Sequence, residues 1–385
     1  MVECLSPGVY IDEIEMGAKP IAGVSTSTVG FVGVASTTDV AVGKPTFISS
    51  WMEFVSSFGR YSNASPYLAS AVYGFFANGG NRCYVVRTAS SDDDDLVGTT
   101  DDEGKRTGLA SLEEIDEVSI VCIPGGTSTV VQTAMITHCA KMGDRVAIFD
   151  SAEGETMEAI QTRKDTLSSD AGIGALYYPW IKMAVETVVG GKVVLEQKLV
   201  PPSGAVAGIY ARSDSEKGVH KAPANEIVRG ALSLEKNITK AEQDILNPLG
   251  INCIRAFKGR GIRVWGARTI SSDPLWKYVN VRRLFLYLEE SIDESTQWVV
   301  FEPNNEQLWA RVAQSVNNFL LSVWKSGALM GSTPEEAFFV RCDRTTMTQS
   351  DIDNGKLIVR IGVAPTKPAE FVIFEIGQWT ASAES

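Results

Sequence analysis

The sequence predicts an α/β fold, α+β overall, and three observations carry that prediction. From Glu113 to about Ile181, short apolar runs alternate with helical stretches, the pattern of repeated strand–helix units. Near the C-terminus a long amphipathic helix follows a short apolar run. Both chain ends carry extended segments of strand character beside Gly and Pro breaks.

Length and charge bound the rest. At 385 residues the chain is long enough for two or three packed units. An apolar fraction of 44% and a charged fraction of 21% are those of an ordinary soluble globular chain. The net charge of −12 argues against nonspecific nucleic-acid binding. No apolar run reaches the length of a membrane span, and Met-Val-Glu-Cys-Leu lacks the basic start and apolar core of a signal peptide. The expectation is therefore a chain made in a cytoplasm. Six scattered Cys with no CxxC pair and two His (His138 and His220) offer no metal-ligand spacing.

Taken in order, residues 6–16 alternate loosely, with Val9 and Ile11 opposing Tyr10 and Asp12, and Gly17 and Pro20 behind them. Strands are expected at Val29–Ala35 and Thr46–Ile48, then a helix capped by Ser49 or Ser50 and carrying Trp51, Phe54, Val55 and Phe58. A second helix at Pro66–Asn78 turns through Asn78-Gly79-Gly80-Asn81 into a strand at Cys83–Arg87. Residues 89–108 hold Asp92 to Asp95, Asp101, Asp102 and Glu103 among Gly, Ser and Thr, and read as a solvated loop. Their spacing lacks the alternating ligands and closing Glu of an EF-hand.

The α/β stretch supplies strands at Ser119–Pro124, Arg145–Asp150 and Gly174–Trp180, with helices at Thr127–Met142 and Glu155–Leu167 between them. Gly190-Gly191 joins Val185–Val189 to Lys192–Leu195 as a hairpin. Ala205–Arg212 reads as a helix and Ile251–Ala256 as a strand. A basic stretch follows: Arg255, Lys258, Arg260, Arg263, Arg268, Lys277, Arg282 and Arg283 face only Asp273 before Glu289. Trp298-Val299-Val300-Phe301 reads as a buried strand closed by Pro303. Asn304 or Asn305 then caps a helix whose Leu308, Trp309, Val312, Val316, Phe319, Leu320 and Val323 share one face, with Gly327 past its end. Its polar face, with Asn317 and Asn318, is open to a partner. Strands at Phe338–Arg341, Lys356–Ala364 and Glu370–Gly377 end the chain.

Catalytic motifs are missing. Ile120 to Ser128 runs from a strand through Gly125-Gly126 toward a helix, and Asp150 ends the next strand as a ribose-binding acid would. Yet neither GxGxxG nor GK[ST] is present, nor are GxSxG and HExxH. An α/β nucleotide- or sugar-binding enzyme is the alternative reading, and no cofactor is expected.

The motifs together resemble those of phage tail sheath proteins and of sheaths from contractile injection particles. The resemblance lies in Pro7-Gly8-Val9-Tyr10 with Asp12-Glu13, Gly23 to Ser27, Phe31-Val32-Gly33 and Phe76 to Arg87. It continues through His220 to Asn225, Gly250-Ile251-Asn252, Arg263 to Thr269, Phe301 to Asn305 and Ala364 to Glu370. Such a resemblance implies a structural subunit that stacks as hexameric rings around an inner tube and contracts to drive that tube through an envelope. It also implies strand-adding arms, with the partners being the chain itself, an inner tube protein, and baseplate and terminator or cap proteins. Neither nucleic acid nor membrane insertion is expected, and assembly would take place in the producing bacterium, as part of a virion tail or a released particle.

On this reading residues 1–20 and 369–385 are β-arms, and 21–88 and 216–368 form the sheath core, the latter facing the tube. Residues 89–108 are the acidic linker and 109–215 an inserted outer α/β domain. Expected inter-subunit contacts are Val9, Tyr10, Ile11 and Ile14 in the first arm and Phe371, Val372, Ile373 and Phe374 in the second. Lys277, Arg282 and Arg283 are expected to face the tube, unless they pair with acids of their own or an adjacent subunit.

Overall fold

Nine strands, the central six of them parallel, form the sheet on which the subunit is built, in a computed structural model that describes residues 19–37 and 39–373. The N-terminal elements are β1 (Val29–Val34), β2 (Thr46–Ile48), α1 (Trp51–Phe58), α2 (Leu68–Ala77) and β3 (Cys83–Thr88). The middle supplies α3 (Asp93–Val97), β4 (Ile120–Cys122), α4 (Thr129–Met142), β5 (Val146–Asp150), α5 (Met157–Thr166) and β6 (Gly174–Tyr178). A hairpin of β7 (Ile181–Val189) and β8 (Lys192–Val200) precedes α6 (Ser203–Lys217), β9 (Glu226–Ile227), β10 (Ala231–Leu234) and α7 (Lys240–Leu246). Then come β11 (Ile251–Phe257), β12 (Gly261–Val264), α8 (Val279–Thr296), α9 (Glu306–Lys325), α10 (Pro334–Ala337), β13 (Phe338–Arg341), α11 (Gln349–Asp353) and β14 (Arg360–Val363).

The large sheet runs β2-β3-β1-β4-β5-β6-β11-β12-β9. Strands β3, β1, β4, β5, β6 and β11 are parallel, and β2 and β12 pair antiparallel at either side. Strand alternation divides the core. Phe31, Val85, Cys122, Ile148 and Tyr177 pack against α1, α2 and α6 on one face. Val32, Val86, Val121, Phe149 and Tyr178 pack against α4 and α5 on the other. The sheet thus runs unbroken across the boundaries expected between 88 and 109 and between 215 and 216. A third apolar cluster joins Leu284 and Leu288 of α8 to the inner face of α9 and to Phe338 and Val340 of β13.

Several elements differ from expectation. Trp298–Phe301 is no strand: α8 runs to Thr296, a 3₁₀ turn takes Gln297–Val299, and Phe301 is fully exposed with φ +68°. A four-residue apolar run carries too little period to separate a strand from a helix-to-helix turn. The run Asp92–Asp95 is not simply loop, because Asp93–Asp95 form the first turn of α3. Acids are favoured there by the helix dipole, and Leu96 anchors the turn in the core. The β7–β8 hairpin is longer than expected, nine residues on each side. Strand β14 covers only Arg360–Val363 of the expected 356–364. Ser50 caps α1 and Asn305 caps α9, while Asn304 accepts from the Trp309 indole at 2.7 Å.

Helices α2 and α6 cross at backbone contact. A Cβ on Gly204 would lie 2.1 Å from the Ala71 carbonyl oxygen, and one on Gly208 2.3 Å from that of Phe75. Neither obstacle is a flexible side chain. Gly204→Ala should therefore force the helices apart and destabilise the subunit by about 1–3 kcal/mol. Thermal melting of the purified chain reads this, and an unchanged midpoint would mean that the crossing relaxes freely.

Candidate functional site

The cations expected to face a tube are largely consumed within the subunit. Arg283, on α8, is buried and donates to both carboxylate oxygens of Asp214 on α6, at 2.9 and 2.6 Å. It also donates to the Thr26 carbonyl at 2.7 Å and lies over the Tyr210 ring. Thr26 Oγ1 donates to the same Asp214, and Tyr210 shares a 2.7 Å hydroxyl bond with Tyr177 of β6. One guanidinium thereby joins the approach to β1, α6 and α8. Arg282 stacks on Trp276 and bonds Glu289 at 3.2 Å, with 9% of its surface exposed. Arg283 and Arg282 are thus paired inside the subunit, the outcome the sequence reading set beside a tube contact; the pattern of charge in the sequence did not show that Asp214, far away in the chain, is the partner of Arg283.

Lys277 is half-exposed and sits 3.9 Å from Glu370, at the edge of a second polar node. Arg268 grips Glu370 with two bonds of 2.8 and 2.7 Å, and Asn247 and Tyr278 add one each. Burial alone would raise the Glu370 carboxyl, but these donors hold it below the usual carboxylate range. Directly after this anchor Phe371, Val372 and Ile373 stand 70%, 68% and 82% exposed and pair with no described strand. Val9, Tyr10, Ile11, Ile14 and Phe374 lie outside the described residues.

The two-stranded sheet of β13 and β14 leaves both outer edges unpaired among the described residues. Phe339 and Ile361 are exposed on it. The ribbon is held on α9 through Phe338, Val340 and Val363, and its unpaired edges leave room for added strands.

The crevice that a nucleotide would need is filled. Gly125 turns after β4 at φ +74°, and a Cβ there would meet the Tyr67 ring at 2.3 Å. Asp150 accepts from Ser203 N at 2.8 Å, Ser203 Oγ at 2.7 Å and Gly125 N at 3.3 Å. The start of α6 and the Tyr67–Trp180 ring pair therefore occupy the carboxyl ends of β4 and β5.

Burial pushes Asp150 up to about 7 from an ordinary 3.8, although its three donors pull it down. The folded chain then holds this proton up to about pH 7, and the unfolded chain only to about pH 4. Stability should fall as pH rises across that window. Asp150→Asn should flatten this slope in melts taken from pH 4 to 7, and an unaltered slope would assign it to other groups. Arg283→Ala should cost about 3–5 kcal/mol, because it strands a buried carboxylate. Unaltered melting of that variant would return Arg283 to a surface role.

Comparison with known proteins agrees with this architecture. Residues 102–270 match the family model of the phage tail sheath protein central domain, and residues 271–378 that of the phage tail sheath C-terminal domain. The tail sheath protein of Escherichia phage P2 is 24% identical over 390 aligned residues, covering 94% of this chain and 93% of its own. The contracted sheath of the extracellular contractile injection system PVC is similar at 33% identity and a TM-score of 0.81, covering 98% of this chain and 99% of that one. The contracted helical sheath of the anti-feeding prophage matches at 32% identity and a TM-score of 0.77, over 98% and 100%. With two family domains in tandem and relatives matched end to end, the chain belongs to the phage tail sheath family.

Proposed function

We propose that this chain is the structural subunit of a contractile sheath, polymerising as stacked hexameric rings around an inner tube and driving it through a target envelope on contraction. The open-edged β13–β14 ribbon, beside an exposed C-terminal segment, is the observation that carries the reading. Terminal arms, residues 1–20 and 369–385, add strands to such ribbons in neighbouring subunits. Main-chain hydrogen bonds then link subunits that rotate as rigid bodies, so connectivity survives the change of lattice. Contraction needs no nucleotide if the extended lattice is assembled metastable, and the filled crevice at Asp150 fits a purely structural role. Beyond itself the subunit meets the tube protein, the baseplate and a terminator or cap, in a particle assembled in the producing bacterium. Lys277, half-exposed, is the one of the three expected tube contacts still available to a partner.

Deleting residues 1–18 should leave a folded, soluble chain that forms no cylinders by negative-stain microscopy. Normal cylinders from the truncated chain would remove the N-terminal arm from the lattice. A monomer whose melting responds to nucleotides or sugars would favour an enzyme instead.

A further inference from the structure

Within the basic stretch of residues 255–283, four cations remain without an acid after the internal ion pairs are drawn. Arg255, Lys258, Arg260 and Arg263 lie on the β11–β12 hairpin, and none pairs with a described carboxylate, in contrast to Arg268, Arg282 and Arg283. The three arginines among them are held in place all the same. Phe257 and Trp265 pack with ring centroids 4.5 Å apart, and Arg260 lies over both. Arg255 stacks on Phe257 and donates to the Ile238 carbonyl at 2.9 Å. Arg263 donates to the Asn225 carbonyl at 2.7 Å. Aromatic faces and neutral acceptors orient these groups without discharging them, which lowers the ordering cost of binding an anion.

A complementary surface exists elsewhere on the same chain. A cleft of about 250 Å³ lies between residues 24–26, the approach to β4 and α8. Asp116, Glu117, Asp144, Glu290 and Glu294 line it. Arg82 reaches Glu117 at 3.9 Å and Arg145 holds Asp144, leaving Asp116, Glu290 and Glu294 without a described cation. Burial first, and then Asp144, Glu294, Asp293 and Asp116, raise the Glu290 carboxyl. Like charges are gathered there, against Arg82 and Arg283, the latter engaged by Asp214.

The sheet places these two surfaces at opposite ends. The hairpin turn follows the carboxyl end of β11, whereas Asp116 and Asp144 precede the amino ends of β4 and β5, and all three strands are parallel members of one sheet. A subunit cannot bring its own turn to its own cleft. We propose that the β11–β12 turn of one subunit docks in the Asp116–Glu290–Glu294 cleft of a second copy. Because the two patches differ, the contact is head-to-tail and generates a ring or a helical array rather than a closed twofold dimer. It rests on the sheath reading above and assigns to that lattice a specific electrostatic contact, separate from the arms.

Charge exchange in the full-length chain tests this. Lys258→Glu with Arg260→Glu, and separately Glu290→Lys with Glu294→Lys, should each lower the yield of sedimenting cylinders at least tenfold. Melting of the unassembled chains should stay unchanged, and all four substitutions together should restore cylinders. Wild-type assembly should also weaken as salt is raised. Failure of the combined variant to assemble, with its melting intact, overturns the proposal, as does normal assembly of either pair alone. If a reversal impairs folding, Lys258→Gln with Arg260→Gln takes its place, and unaltered assembly and salt response would count against the contact. Wild-type cylinders with unaffected exchanges overturn this inference alone, whereas a wild-type chain that forms no cylinders overturns the sheath reading and this contact with it.

Discussion

The buried pair of Arg283 and Asp214 is the constraint on which the subunit's unity depends. It is the charged link between the doubly wound sheet and the C-terminal helices, beside apolar contact and neutral bonds such as Asn280 to the His220 carbonyl. Arg283 reaches from α8 to Asp214 on α6 and to the backbone at Thr26, while its stack on Tyr210 continues through Tyr177 into the sheet. The segment before β1 follows α8 as well, with Ala22 and Val24 donating to Ser295 and Ser291. Such a pair need not add net stability over an apolar equivalent of the same shape. What it adds is directional: both carboxylate oxygens and the Thr26 carbonyl are met by one guanidinium. A subunit that moves as one body in a lattice needs that more than it needs extra stability.

The sheet was legible in the sequence because period and burial agree there. Apolar runs such as Ile120–Cys122 and Val146–Asp150 are buried on both faces, as parallel strands between helix layers must be. Caps were legible for the same local reason: Ser50 and Asn305 stand where an N-cap oxygen reaches a free amide. Harder to read was anything set by partners distant in the chain. Arg283 and Asp214 are 69 residues apart, and Arg268 and Glu370 are 102 apart. The charge run alone suggested an exposed basic face, because sequence shows which charges exist and not which meet. Phe301 failed for a different reason: an aromatic at positive φ on the surface contradicts both its propensity and its hydrophobicity, so no local rule anticipates it.

The same sheet also shows how an α/β architecture can lack a ligand crevice. Doubly wound sheets bind at the carboxyl ends of their strands when the loops there leave a gap and helix N-termini point into it. Here the start of α6 enters that space and presents its Ser203 amide and hydroxyl to Asp150. The donors a phosphate would use serve an internal carboxylate, and Tyr67 packs on the glycine turn that would have cradled a ligand. Fold resemblance to nucleotide-binding proteins is therefore not in itself an argument for that function.

Two kinds of adhesion, unlike in range and geometry, would then act on one polymer. Strand addition at the β13–β14 ribbon is short-ranged and directional, and it can persist unchanged while everything around it turns. Docking of the β11–β12 turn depends on the distance between patches at opposite ends of a rigid sheet, so it must weaken or reform whenever subunits rotate relative to one another. Charge interactions suit that part, because they tolerate imperfect alignment and fall off gradually rather than at a single bond length. Apolar docking of equal strength would require tight shape complementarity in each lattice it served. An acidic chain that keeps four cations without an acid on one hairpin, three of them held by aromatic rings and neutral acceptors, would suit contacts that can be made, released and made again.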